Sequence, residues 1–97
     1  MNQQAMLDEL ETAAARLEVK VSYESLASSV GTGGLCRVRG QYRVIIDKRT
    51  QVSERVAALA QALSQVPDLS PELAAAPELS APVRHLIRHY VALRRAS

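Results

Sequence analysis

Residues 33–66 run without a break from two short apolar segments, joined by a tight turn, into a long amphipathic segment. This stretch limits the fold more than any other. Leu35-Cys36-Arg37-Val38-Arg39 and Gln41-Tyr42-Arg43-Val44-Ile45-Ile46-Asp47 read as two strands, because β-branched and aromatic residues suit a half-buried pleated surface. Gly40-Gln41 between them predicts a type II′ hairpin turn, whose first central residue takes positive φ. Alternation puts Cys36 and Val38 on one face, groups Tyr42, Val44 and Ile46, and sets Arg37, Arg39, Arg43 and Ile45 opposite. Val52, Val56, Leu59, Ala60, Leu63 and Val66 then recur at helical spacing and predict a helix over residues 50–66. Thr50 or Ser53 is its expected cap. Pro67 ends it, because the residue before a proline avoids the helical conformation. The Val44/Ile46 face is where this helix is expected to lie.

The remaining segments fit around that unit. Met6, Leu7, Leu10, Ala13, Ala14 and Leu17 give an apolar stripe and a helix over residues 3–17. Val19, Val21 and Tyr23 alternate with Lys20, Ser22 and Glu24, the pattern of a half-buried strand. Residues 27–34, rich in Gly, Ser and Thr, form a loop. Ser70-Pro71-Glu72 places an N-cap residue before a first-turn proline and predicts a short helical turn over 71–76. Ser80-Ala81-Pro82 opens the last helix in the same way. Val83, Leu86, Ile87, Tyr90, Val91 and Leu93 give that helix its apolar face. The expected fold is α+β, a single domain over residues 1–97. An N-terminal helix precedes a three-stranded antiparallel meander, followed by a helix, a short helical turn and a C-terminal helix (α-β-β-β-α-α), with helices on one face of the sheet.

Charge excludes some functions. The net charge is only +2, yet it is segmented. Residues 1–36 carry five acidic and two basic groups, and residues 37–55 carry six basic and two acidic ones. Residues 56–83 carry three acidic groups, and residues 84–97 four basic ones. Two basic segments offer a nucleic-acid or acidic-partner footprint if they meet in space, and two solvated faces if they do not. Three Tyr, no Trp and no Phe argue against single-strand binding, which relies on aromatic stacking. One cysteine makes no internal disulfide, the N-terminus lacks a basic region before an apolar run, and no segment approaches the ~20 apolar residues of a membrane span. A reducing cytoplasm is the expected location.

The order helix, strand, Gly-rich loop, hairpin, helix over residues 17–66 resembles the ImmA/IrrE-type metallopeptidases, a minimal zincin fold. In that family the helix carries H-E-x-x-H, two zinc-binding histidines flanking a glutamate that activates water. Aligned on Leu59-Ala60, the motif falls on Gln61-Ala62-Leu63-Ser64-Gln65. Glutamine is a poor zinc ligand and alanine moves no proton. The resemblance therefore implies a scaffold without the metal site and without peptidase chemistry. The run Gly33-Gly34-Leu35-Cys36-Arg37 also looks like that of small bacterial proteins, which supplies no mechanism.

Other candidate sites are weak. Gly31-Thr32-Gly33-Gly34 leads into a strand, whereas a phosphate-cradling loop leads into a helix N-terminus. Cys36 reads as an inert buried thiol, since alternation places the neighbouring arginines across the sheet; a Cys–His pair would need His85 or His89 packed over the second strand. His85 and His89 have helical metal-ligand spacing but lie among arginines and lack a third ligand. With no catalytic constellation and no cofactor fingerprint, the expected function is a small non-catalytic protein-interaction module, an adaptor or regulatory subunit. Its contact surface is expected on the sheet face of Arg37, Arg39 and Arg43 with Leu35 and Ile45 as apolar anchors, open to a protein partner or a second copy as a homodimer. The alternative is a nucleic-acid-binding module using residues 37–55 and the basic face of Arg84, Arg88 and Arg95.

Overall fold

The computed structural model describes residues 2–25, 34–66, 73 and 75–96. Helix α1 (Gln3–Arg16) is followed by strands β1 (Lys20–Glu24), β2 (Gly34–Val38) and β3 (Gln41–Asp47), then by helices α2 (Val52–Ser64) and α3 (Ala81–Ala96). The expected α+β order is present. Within the expected turn over 71–76, Leu73 and Ala75 are helical and Ala76 is not; residues 71, 72 and 74, like the loop over 27–33, lie outside the described residues.

The sheet differs from the expected meander. Its strand order is β1-β3-β2, with β1 parallel to β3 and β2 antiparallel to it. The most aliphatic strand takes the centre, with Val44 and Ile46 only 0% and 2% exposed. The alternation that identified β1 is the same in either pairing mode, so it carried no information about direction.

The hairpin turn also sits one residue earlier than expected. Val38 pairs with Gln41, and the two central residues are Arg39 (φ 53°) and Gly40 (φ 82°). Two positive φ values make the tight turn of type I′, whose twist matches that of the strands. Faces alternate with period two, so register decides which side chains meet. Leu35 lies opposite Val44 and Arg37 opposite Tyr42, on the helix-covered face. Cys36 lies opposite Arg43, on the other face. This corrects the expected grouping of Leu35 and Arg37 with Arg43 and Ile45.

Helices α1 and α2 pack on each other and on the sheet, and α3 packs on α1 and α2 without touching a strand. One apolar cluster runs through all of them and includes Leu10, Val44, Leu59, Leu63, Val83 and Ile87, each fully buried. Asn2 caps α1, its side-chain oxygen accepting from the Ala5 N–H at 2.7 Å. Gln51, and neither Thr50 nor Ser53, is the N-cap of α2. The Ser80 N–H at the start of α3 donates to the Glu9 carboxylate, which ties α3 to α1.

α1 ends in a paired motif. The Val19 N–H donates to the Ala14 carbonyl at 2.9 Å and the Glu18 N–H to that of Ala15 at 3.1 Å. These two bonds satisfy otherwise orphaned carbonyls and require a left-handed residue between helix and strand, normally glycine. Here it is Glu18, at φ 61°. A side chain there costs about 1 kcal/mol. Glu18→Gly is therefore expected to stabilise the protein by about that amount and raise Tm by about 4 °C, measured by thermal denaturation. No gain in Tm would mean that the Glu18 side chain makes a compensating interaction.

Candidate interaction groove

The junction between β3 and α2 is tightly bonded. The Asp47 carboxylate accepts from the Arg49 backbone N–H at 3.0 Å, from Nε at 3.1 Å and from Nη2 at 2.8 Å. The Thr50 hydroxyl donates to the Asp47 carbonyl at 2.6 Å. Arg55, one turn into α2, donates from Nη2 to the Lys48 carbonyl at 2.7 Å, and its guanidinium lies 4.9 Å from the centre of the Tyr23 ring. The Tyr23 hydroxyl donates to the Glu11 carboxylate on α1. Three elements thus converge on one aromatic ring: α1 through Glu11, β1 through Tyr23 itself and α2 through Arg55. Burial and the Glu11 carboxylate push the Tyr23 phenol well above its ordinary value, with Arg55 opposing.

This framework sets α2 beside the sheet and leaves a groove of about 810 Å³ between them, within the range of ligand-sized clefts. Leu35 and Ala58 give it a partly exposed apolar floor, behind which the buried Val44, Ile46 and Ala62 lie. Alanines on this side of α2 make room that larger side chains would fill. Along the rim stand Asp47, Arg49, Glu54, Gln61 and Gln65. The groove therefore combines an apolar floor with side-chain amides along its rim.

The five residues expected to form one contact face are divided. Arg43 and Ile45 lie on the face away from the helices, whereas Leu35 and Arg37 face the helical side. The Arg37 guanidinium stacks 5.2 Å from the Tyr42 ring centre, and Arg39 occupies the turn. α3, which carries the second basic segment, packs on α1 and α2 and not on the strands that carry Arg37 and Arg43. Arg84 donates from Nη1 to the carbonyls of Leu79 (2.7 Å) and Ala76 (3.2 Å), holding the turn before α3. Arg88 is exposed on α3 and Arg95 lies in its last turn. His85 and His89 are exposed on α3 and do not approach Cys36, and the edge of the Tyr90 ring meets His89 at 5.3 Å. Cys36 has Arg43 as its cross-strand neighbour, where alternation had been expected to separate them. Among the described residues no group of three or more His, Cys, Asp or Glu is placed to hold a metal ion, and no helix is long and apolar enough to cross a membrane.

Sequence reasoning missed the Glu11–Tyr23–Arg55 cluster and the Asp47 turn. The second had a local signal in Asp47-Lys48-Arg49-Thr50, an aspartate able to cap its own turn. The first had none, because its members lie on three separate elements. No known family model matches the chain, and no curated protein or solved structure matches it at a significant level.

The Asp47 bonds have a pH consequence. The Arg49 side chain and then its backbone N–H hold the Asp47 carboxyl at about 2, down from an ordinary 3.8. A carboxyl lowered in the folded state adds stability above its unfolded pKa and loses it as pH falls through the folded value. Stability should therefore decline between about pH 3.8 and about pH 2, and Asp47→Asn should flatten that part of the profile. Urea denaturation at a series of acidic pH values checks this, and an unchanged slope in the variant would count against it.

Proposed function

We propose that this chain is a small non-catalytic protein-interaction module that takes an extended segment of a partner polypeptide into the groove beside α2. The observation that carries the reading is the groove's construction. Leu35 and Ala58 give the groove a partly exposed apolar floor over which alternate side chains of an extended segment can lie, and the exposed Gln61 and Gln65 stand along its rim. Extended segments with small apolar residues at every second position fit such a floor. The rim glutamines donate to and accept from a peptide backbone.

The non-catalytic part of the reading rests on three residues at the C-terminal end of α2, its C-cap Gln65 included. Gln61, Ala62 and Gln65 all border the groove. They stand where the resemblance to the minimal zincins puts two histidines and a glutamate. On this reading the chain is a degenerate relative of those peptidases that keeps a peptide-sized cleft on a zincin-like scaffold without the metal-binding residues. A single unpaired cysteine suits a reducing cytoplasm.

The test is selection of ligands from a displayed random-peptide library, followed by calorimetric titration of the winners. Binding should shift the backbone amide resonances of Leu35 and Ala58. Ala58→Phe, which fills the floor, should weaken binding by about tenfold or more, while Arg39→Glu at the distant hairpin turn should not. Selected peptides that bind Ala58→Phe as well as the parent would place the contact elsewhere. Failure to select any peptide would count against the reading, with circular dichroism confirming that each protein is folded.

A further inference from the structure

Among the described residues, the helices pack on the side of the sheet that holds Val44 and Ile46. Strands in parallel pairing, as β1 and β3 are, are usually covered on both faces. Here the second face carries a patterned surface. The registers align Lys20 with Arg43 in one row across the sheet, Ser22 with Ile45 and Gly34 in the next, and Glu24 with Asp47 in the third. Lys20 and Glu24 are exposed, and Ile45 is partly so. Lys20 and Arg43 thus lie on one side of an aliphatic centre and Glu24 on the other, beside an Asp47 whose carboxylate is already paired with Arg49. Beside Ile45, Gly34 projects no side chain, and nothing lies within 4 Å of where its Cβ would be.

We propose that this face is a self-association surface, covered by a second copy of the chain about a two-fold axis through the Ser22–Ile45 row. The charge pattern is self-complementary in only one of the two ways that aligned strands can stack. A copy turned by 180° about an axis in the sheet plane, perpendicular to the strands, sets Lys20 over the Glu24 of the second copy, and Glu24 over its Lys20. Ile45 then meets its own counterpart, with the space at Gly34 beside it. The opposite stacking brings the cations of the Lys20/Arg43 row against one another. Such an interface is isologous and closes as a dimer. Sheets pack about 10 Å apart, a gap that lysine and glutamate side chains span together.

The footprint is small, three strands of five, five and seven residues. It sits at the low end of specific interfaces and forms a weak dimer. Its charge pairs are exposed, so salt weakens it. The proposal stands independently of the peptide groove. Ile45, Gly34 and Asp47 border both surfaces, whereas Lys20 and Glu24 belong to this one alone.

Analytical ultracentrifugation across micromolar to millimolar protein, at low and high salt, tests it. The parent should show a concentration-dependent dimer that dissociates as salt rises. Lys20→Glu should raise the dimer dissociation constant by about tenfold. Lys20→Glu/Glu24→Lys, which reverses the pattern while keeping it complementary, should recover most of that loss. Both positions are exposed, so the variants should fold, and circular dichroism checks that they do. A monomer at every concentration overturns the proposal. So does a dimer indifferent to Lys20→Glu, or a double variant no better than the single one. Peptide binding by the Lys20→Glu monomer would be unaffected, which separates a failure here from a failure of the groove.

Discussion

Strand β3 receives a hydrogen-bonded partner on each edge and the helices on one face, and the rest of the structure depends on keeping it dry. Val44 and Ile46 are sealed there, with Leu10, Leu59 and Leu63 in the same apolar cluster. Three short strands do not hold together in water without such a cover. The helices are equally dependent, since isolated helices of this length are marginal and gain stability from burying an apolar face. α3 is attached at one remove. It packs on α1 and α2, and the bond from Ser80 to Glu9 fixes where it starts.

Polar groups at the margin of this core set its geometry. The Tyr23 ring collects a hydrogen bond to α1 and a guanidinium from α2, while Arg55 also bonds the Lys48 carbonyl in the link from β3. These contacts constrain where α2 sits beside the sheet. They leave beside it a cleft that alanines do not fill. A chain with no Phe and no Trp has few side chains large enough to close such a space.

Among the described residues the helices cover one side of the sheet, and this has a second consequence. The other face keeps its own organisation, with Lys20 and Arg43 on one side of a central isoleucine and Glu24 on the other. Groove and face share the margin formed by Gly34, Ile45 and Asp47. The hairpin residue Arg39 and the α3 residues Arg84 and Arg88, prominent in the sequence as positive charge, lie outside this margin, and Arg84 serves the local backbone.

Local patterns determined much of the fold. The stripes Leu7/Leu10/Ala14 and Val56/Leu59/Leu63 announced α1 and α2, the alternation Val19/Val21/Tyr23 announced β1, and Gly40 announced a hairpin. The absence of histidine from positions 61 and 65 was legible too, although their place at a groove wall was not. Tertiary structure alone decided that β1 runs parallel to β3, that β2 lies at an edge, and that Leu35 and Arg37 face the helices while Cys36 and Arg43 face away. The physical reason is range. Periodicity is a property of one segment and reports whether it has a buried side, whereas pairing, register and the meeting of Glu11, Tyr23 and Arg55 are settled by which arrangement buries the most apolar surface across segments far apart in the chain.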